Sequence, residues 1–276
     1  MKTLENNILL YDQDCPMCKV YSGAFIQSGM LDAQGRMPYH QMTESVRTMV
    51  DVARSRNEIA LIDTAQQKVI YGLDSLLTIL GHNFPIVKTL FRFSPLYWTM
   101  KKIYALISYN RKVIAPSREL NPYGACTPDY NVKYRWIFIF ISSLFVGFIL
   151  NLYFARIPFL AKHSQGFATE WLIAAGQLVI QGALVYIYRK DRVLDYLGHN
   201  MVISLIGALL LLPAIWFSNM LLNISTTFYT LYFAIPVAVM LWQHIRRVKI
   251  LELPAVLTVN WVLYRVGIAI MFLLID

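Results

Sequence analysis

Residues 11–19, YDQDCPMCK, contain two cysteines three positions apart, with a proline between them and two aspartates just before them. The preceding residues, NILLY at 7–11, are mostly apolar and predict a short buried strand. Pro16 suits the first turn of a helix, because the backbone N–H that proline lacks has no intrahelical partner there. The segment therefore predicts a strand, a tight turn and a helix that begins after Cys15 and stops near Gly29.

The rest of the first 135 residues predicts further strands and helices. EIALID at 58–63 and KVIYG at 68–72, separated by TAQQ, predict a β-hairpin, and Asp74 is a candidate N-cap of the next helix. The other predicted elements are a strand at 37–42, helices at 46–54 and 74–80, and a basic, aromatic helical region at 84–112. That last region suits packing on the sheet or contact with a membrane surface. A CxxC pair between a strand and a helix, followed by this order, is typical of a thioredoxin-like α/β domain.

Apolar residues are unevenly distributed along the chain. The whole sequence is 57% hydrophobic and 15% charged, and beyond residue 135 long apolar runs are separated by short charged segments. A helix needs about 20 apolar residues to cross the hydrocarbon core of a bilayer. Five runs are predicted to do so, near 136–154, 171–188, 201–222, 225–243 and 255–275. The sequence thus predicts a thioredoxin-like domain at 1–130 and an all-α transmembrane helix bundle at 131–276.

The positions of lysine and arginine predict the orientation in the membrane. With the N-terminus inside, the inner flanks carry Lys133, Arg135, Arg189, Lys190, Arg192, Arg246, Arg247 and Lys249. The N-terminal residues offer no apolar stretch long enough for a signal peptide. We therefore expect a multi-pass protein of an inner or plasma membrane, with the N-terminal domain in the cytoplasm and Asp276 outside.

The net charge of +9 has a simple explanation in these juxtamembrane cations, which favour anionic lipid headgroups. A basic chain can also bind nucleic acid, but no nucleic-acid motif is present. We expect the lipid bilayer as a partner and no nucleic acid.

The two cysteines have the spacing that thiol–disulfide exchange requires. A cysteine at a helix N-terminus is stabilised as a thiolate by the helix dipole, which makes Cys15 the predicted nucleophile, with its sulfur exposed and ionised. Cys18 lies one turn along the same face and is the predicted resolving thiol. Lys19 adds a nearby cation. Asp12 and Asp14 oppose ionisation by their charge, although either is a candidate proton acceptor for Cys18.

A zinc site and a pair of inert thiols are the alternatives. Zinc sites usually supply four ligands, and the remaining candidates in this domain are Cys126, His40 and His82. Cytoplasmic thiols are kept reduced, so a stable structural disulfide is not expected. The redox interpretation is favoured, with no metal, no cofactor beyond the cysteine pair, and a protein or low-molecular-weight thiol or disulfide as partner.

The segment YDQDCPMC resembles the signature of the DCC family of thiol-disulfide oxidoreductases, named for an Asp-Cys-Cys pattern that corresponds here to Asp12, Cys15 and Cys18. The stretches VIYGLDSLLTIL, IYALISYNRK and CTP are similar to further parts of that family. The residues of this chain that correspond to those motifs are Gly72, Ser75, Tyr104, Asn110, Arg111 and Cys126. The resemblance covers about residues 7–130 and implies a thioredoxin-like fold and a redox role.

Two departures from expected patterns concern the surroundings of the cysteines. The family usually has glycine after the aspartate, where this chain has Gln13, and a side chain at a tight turn can alter its geometry or cover Cys15. Thioredoxins carry a cis-proline before the third strand, and no proline precedes Glu58 here. Substrate docking is therefore expected to differ from that of thioredoxin.

Several polar residues interrupt the predicted spans. Arg265 lies near the middle of the fifth span, where an arginine is costly and is either functional or structurally paired. Asn260 precedes it in the same span. Gln177 and Gln181 share one face of the second span and are suited to hydrogen bonds across helices.

These residues leave two functional hypotheses. The leading one is a membrane-anchored thiol-disulfide oxidoreductase. The alternative is a small transporter or scaffold whose soluble domain senses redox state or binds a partner. A transmembrane dithiol or haem relay is not favoured, because no cysteine follows Cys126 and because His163, His199 and His244 lie at predicted span ends.

Overall fold

The computed structural model describes residues 2–91, 93–117, 128–158, 166–220 and 225–275. It divides the chain into two compact units, Met1–Tyr134 and Arg135–Asp276. Three residues named from the sequence, Cys126, His163 and Asp276, lie outside the described part of the chain. Each unit is described separately below.

The first unit contains a four-stranded mixed sheet with helices on both of its faces. Its strands are β1 (Asn7–Tyr11), β2 (Arg36–Pro38), β3 (Ala60–Asp63) and β4 (Lys68–Tyr71). Its helices are α1 (Pro16–Gln27), α2 (Glu44–Met49), α3 (Val52–Asn57), α4 (Leu73–Asn83), α5 (Pro85–Leu90) and α6 (Ser94–Ile114).

The strands lie in the order β2-β1-β3-β4. β1 pairs parallel with β2, so β1, α1 and β2 form a βαβ crossover, whereas β3 is antiparallel to both β1 and β4. Side chains alternate between the two faces of the sheet. Leu9 packs with Phe25 of α1 and Ile79 of α4 on one face, and Leu10 packs with Val46 of α2 on the other. The end of β1 is thereby enclosed by helices.

The start of this unit agrees closely with the sequence prediction. β1 spans Asn7–Tyr11, and α1 begins at Pro16 directly after the cap residue Cys15. Gly29 follows α1 with a φ of 69°, a left-handed conformation that glycine adopts at little cost and that ends a helix.

Elsewhere, local interactions shift the predicted boundaries. The strand predicted at 37–42 ends at Pro38, because a 3-10 turn over Tyr39–Gln41 follows. The helix predicted at 46–54 is two short helices, since Asp51 caps α3 by accepting a hydrogen bond from the Arg54 N–H at 2.9 Å. The region predicted at 84–112 is likewise divided into α5 and α6.

The prediction that Asp74 caps α4 is wrong. The cap residue is Gly72, whose φ of 67° suits glycine. The Asp74 carboxylate lies in the first turn and accepts a hydrogen bond of 3.0 Å from the Tyr97 hydroxyl of α6. It therefore links two helices instead of starting one.

The second unit is helical. Its helices are α7 (Val132–Phe154), α8 (Phe167–Tyr188), α9 (Val193–Met220), α10 (Thr226–Tyr232), α11 (Ala234–Ile250) and α12 (Val256–Ile275), with α7 starting at the end of the first unit. Large apolar side chains are exposed on them, among them Phe140, Val179, Trp216 and Leu263.

Four segments are long and apolar enough to cross a membrane: Val132–Phe154, Phe167–Tyr188, Lys190–Phe217 and Thr226–Ile250. The chain is accordingly a multi-pass membrane protein that associates with a lipid bilayer. Within α12, Val256–Met271 is a shorter apolar stretch among the residues that were described. The described residues therefore give four spans, and the fifth stays a prediction.

Candidate functional site

The CxxC segment forms a tight turn between β1 and α1. The Asp12 carboxylate accepts a hydrogen bond from the Asp14 N–H at 2.9 Å, and the Cys15 N–H points back to the Asp12 carbonyl at 3.3 Å. Cys15 then caps α1 with an extended backbone, and Pro16 occupies the first turn. Because Gln13 is absent from the residues with positive φ, the turn does not require the glycine that the family resemblance would place there.

Cys15 and Cys18 interact directly and are both free thiols. Hydrogen bonding from the Cys18 thiol, with a smaller contribution from the Cys18 backbone, lowers the pKa of Cys15 to about 6, against the opposing effect of burial. The guanidinium of Arg111 lowers the pKa of Cys15 further, and the charge of Asp12 raises it. A thiolate with such a pKa is largely ionised at neutral pH and is a competent nucleophile.

Cys18 behaves in the opposite way. Donation of its proton to Cys15 and burial both raise the pKa of Cys18 far above its ordinary value. Cys18 thus stays protonated while Cys15 is ionised. This asymmetry matches the division into an attacking thiolate and a resolving thiol.

A buried cluster of charges lies beside the pair. The Asp12 carboxylate is 3.7 Å from Arg111 Nη2 and 3.8 Å from Lys112 Nζ, both near the end of α6. Asp12 and Arg111 are almost fully buried. Asp12 Oδ2 has no hydrogen-bond partner in the part of the chain that the structure describes, and it faces these two cations.

Arg111 takes the role that the sequence analysis gave to Lys19. Lys19 is exposed, because it lies on the outer side of α1, whereas the charge of Arg111 acts on both thiols. Arg111 Nη2 also donates to the Arg56 carbonyl at 3.0 Å. Asn110 donates to the carbonyls of Leu106 and Tyr134 at 2.8 and 3.2 Å, so its observed role is to hold the backbone.

The prediction that Cys15 is exposed is wrong. The relative exposure of Cys15 is 0% and that of Cys18 is 2%. The physical reason is the pairing of Asp12 with Arg111 and Lys112, which fixes the end of α6 against the turn that holds Cys15. A disulfide substrate can reach the thiolate only after this region opens.

Tyr21 is a neighbour of the pair that the sequence analysis missed. Its hydroxyl lies beside Cys18, and burial raises the pKa of Tyr21 well above its ordinary value. Cys15, Cys18 and Tyr21 follow one another at intervals of three residues, which puts them on one face of a helix. That spacing is the sequence pattern that identifies Tyr21 as a neighbour of the pair.

Other residues named by the family resemblance support the sheet. The Ser75 hydroxyl donates to the Ile70 carbonyl at 2.7 Å, and the Tyr104 hydroxyl accepts a hydrogen bond from the Ile59 N–H at 3.0 Å. These contacts join α4 and α6 to the β3–β4 hairpin. Within the described residues, no group of three or more His, Cys, Asp or Glu side chains is placed to hold a metal ion.

The second unit contains a buried polar network. Gln181 Nε2 donates to Asn260 Oδ1 at 3.0 Å, and Gln177 Nε2 donates to the Trp261 carbonyl at 3.3 Å. These bonds join α8 to α12, which confirms that the two glutamines form hydrogen bonds across helices. Arg265 makes none of these bonds and lines a cavity instead.

The network continues through residues that the sequence analysis did not select. The Tyr196 hydroxyl donates to Gln181 Oε1 at 2.7 Å and lies 2.9 Å from His244 Nε2. His244 Nδ1 is 3.0 Å from the Thr258 hydroxyl, and His199 Nδ1 is 2.8 Å from Arg247 Nη1.

The placement of these two histidines near span ends stays a prediction. They lie within the candidate spans Lys190–Phe217 and Thr226–Ile250 and are 5% and 1% exposed. A single histidine in an apolar run has no local pattern that marks its partner on another helix, so the sequence alone could not reveal this network.

No protein-family model, no curated protein and no solved structure matches the chain. The resemblance to the DCC family therefore rests on the motif residues, and functional inference rests on the site geometry.

Proposed function

We propose that the chain is a membrane-anchored thiol-disulfide oxidoreductase that uses Cys15 as nucleophile and Cys18 as resolving thiol. The observation that carries the proposal is the placement of two free thiols at the start of α1, with Cys15 as its cap residue and Cys18 one turn along, where their interaction lowers the pKa of Cys15 and raises that of Cys18. The chemistry needs no cofactor beyond the cysteine pair.

The reaction has two exchanges. The Cys15 thiolate attacks one sulfur of a partner disulfide, forming a mixed disulfide and releasing the other partner sulfur as a thiolate. Cys18 then loses its proton and attacks the Cys15 sulfur, which releases the second partner sulfur. The partner gains two electrons from the cysteine pair, one proton from Cys18 and one proton from solvent, so its two sulfurs become thiols while Cys15 and Cys18 become a disulfide.

Asp12 is the proposed acceptor of the Cys18 proton. Its Oδ2 atom has no hydrogen-bond partner among the described residues, and Arg111 and Lys112 balance its charge. A proton held on Asp12 can pass to the leaving thiolate. This role explains why a carboxylate that disfavours ionisation of Cys15 is placed beside the pair.

The topology supports a thioredoxin-like fold, while membership of the DCC family is proposed from the motif residues alone. A CxxC pair at the start of the helix in a βαβ unit is the arrangement associated with thioredoxin-like redox proteins. Here β1, α1 and β2 form that unit, and the antiparallel hairpin of β3 and β4 extends the sheet beyond β1.

The second unit is proposed to hold the first unit at the cytoplasmic face of an inner or plasma membrane. The distribution of lysine and arginine supports that orientation. With α12 as a fifth span, the C-terminus lies outside. The natural partner is then a cytoplasmic protein or a low-molecular-weight disulfide such as glutathione disulfide.

Trapping of the mixed disulfide tests the proposal on the full chain in detergent. Cys18→Ser should retain glutathione covalently on Cys15, because the resolving thiol is missing, and Cys15→Ser should retain none at position 18. Cys126→Ser is the control for the third cysteine. Intact-protein mass measurement after incubation with glutathione disulfide gives the answer, and the absence of an adduct on Cys18→Ser would contradict the proposal.

The polar network of the second unit favours a second candidate function, transport or scaffolding by the helices, with the first unit as a redox sensor. Gln181, Tyr196 and His244 are buried and bonded across three helices, and buried polar groups inside a membrane are often functional. Loss of cellular function in Tyr196→Phe, with Cys15→Ser and Cys18→Ser unaffected, would favour this candidate over the enzyme.

A further inference from the structure

A cavity of about 330 Å³ lies within the helical unit. Most of its lining is apolar and comes from α7, α8, α9, α11 and α12. The charged or hydroxyl-bearing residues among the described lining residues are Glu170, Ser204 and Arg265. A cavity of roughly 300–1,000 Å³ with a few convergent polar groups is typical of a small-molecule site.

Arg265 is the unusual member of this lining. It lies near the middle of α12, and its guanidinium carries five N–H donors. Among the described residues no carboxylate lies within ion-pair distance of it, and the charge of Glu170 acts on it from farther away. An arginine at such a position is costly unless an acceptor satisfies it.

Neighbouring polar side chains already have partners on other helices. Gln177 and Gln181 bond to α12, and the Tyr264 hydroxyl donates to the Ile173 carbonyl at 2.7 Å. Among the described residues no acceptor is bonded to the guanidinium of Arg265, which lines the cavity. A ligand in the cavity can supply that acceptor.

We propose that this cavity binds an anionic amphiphile, with its carboxylate or phosphate head on Arg265 and its apolar chain along the lining. Planar guanidinium groups bind both head groups through paired hydrogen bonds. Val237 and Val266 line the cavity and are also 40% and 46% exposed, so the cavity opens at the surface of α11 and α12. This site is independent of the cysteine pair.

Glu170 is the acidic residue of the cavity, so the preference between an anionic and a cationic head group can be tested. It lines the same cavity, and its charge favours a cationic head where Arg265 favours an anionic one. Glu170 is 4% exposed, whereas Arg265 is only half-buried and has donors to offer. The anionic head should therefore bind more tightly than a cationic head on the same chain.

Quenching of Trp261 fluorescence provides the measurement, because Trp261 lines the cavity one turn before Arg265. The full chain is prepared in detergent with Trp98, Trp136, Trp171, Trp216 and Trp242 replaced by Phe. The probes are bromoundecanoate, bromoundecyl phosphate and bromoundecyltrimethylammonium, which share a chain and differ in the head. Arg265→Gln removes the proposed head-group contact, and Arg246→Gln is the matched control at an exposed arginine outside the cavity.

We expect saturable quenching by the carboxylate or the phosphate probe at a concentration at least about tenfold below that of the ammonium probe. Charge-assisted hydrogen bonds of about 1.5–3 kcal/mol correspond to such a ratio. Arg265→Gln should abolish this preference, while Arg246→Gln and Arg265→Lys should keep it. A preference for the carboxylate identifies a fatty-acid-like ligand, and a preference for the phosphate identifies a phospholipid-like one.

If all three probes quench the protein that keeps Arg265 equally well, the proposal is overturned. Quenching that does not saturate would also overturn it. That comparison needs no variant at position 265, so it remains decisive if Arg265→Gln fails to fold. Retained preference in a folded Arg265→Gln protein would also overturn it.

Discussion

The carboxylate of Asp12 lies 3.7 Å from Nη2 of Arg111, and both side chains are almost fully buried. The two residues are far apart in the chain, and their pairing brings the end of α6 to the turn that carries Cys15. One contact therefore does two things: it balances the charge of Asp12, and it places a cation where it stabilises the Cys15 thiolate.

Replacing Arg111 should damage both stability and chemistry. Arg111→Gln leaves Asp12 with only Lys112, and breaking a buried ion pair costs about 3–5 kcal/mol of unfolding free energy. It should also raise the pKa of Cys15, since a cation that lowers it is lost. Denaturation in detergent and thiolate absorbance measure the two effects.

Arg54→Gln is the matched control for that substitution. Arg54 pairs with Glu58 at 3.1 Å, but its side chain is 51% exposed, and exposed pairs contribute about 0–1 kcal/mol. Equal destabilisation by the two substitutions would contradict a special role for the buried pair.

The enclosure of Cys15 should be visible in its reactivity. With the relative exposure of Cys15 at 0%, alkylation by iodoacetamide in a Cys126→Ser background should be slower in the folded protein than in denaturant at the same pH. The reason is that opening must precede the reaction. Equal rates, corrected for the fraction of thiolate, would show that Cys15 is accessible in the folded state.

The polar network of the second unit should stabilise its helices. Tyr196→Phe removes the hydroxyl that contacts Gln181 and His244 and leaves their buried groups without a partner, at a cost of about 1–3 kcal/mol. Thermal denaturation in detergent measures the loss. Tyr186→Phe is the control, because Tyr186 is 54% exposed on α8, and a loss as large as that of Tyr196→Phe would argue against the network.

Prediction from the sequence succeeded where the signal is local. β1, the cap position of Cys15 and the stop at Gly29 follow from neighbouring residues, and the structure confirms them. The cross-helix bonds of Gln177 and Gln181 were also predictable, because amides in an apolar helix need partners.

Prediction failed where the signal is tertiary. Nothing near residue 12 indicates that Arg111 and Lys112 pack against Asp12, so the sequence predicts an exposed Cys15 and points to Lys19 as the neighbouring cation. The contact between Tyr196 and His244 is a second example. Each is one polar residue in a largely apolar segment, and only the packing of the helices shows that they meet.

The most direct test of the account is the titration of Cys15 in the reduced full chain, followed by thiolate absorbance and referenced to Cys15→Ser. We expect a midpoint near pH 6, because the Cys18 thiol and Arg111 stabilise the thiolate, and we expect Cys18→Ala to move that midpoint upward. A midpoint at the ordinary thiol value near 9, unchanged in Cys18→Ala, would contradict the claim that this pair is built for exchange.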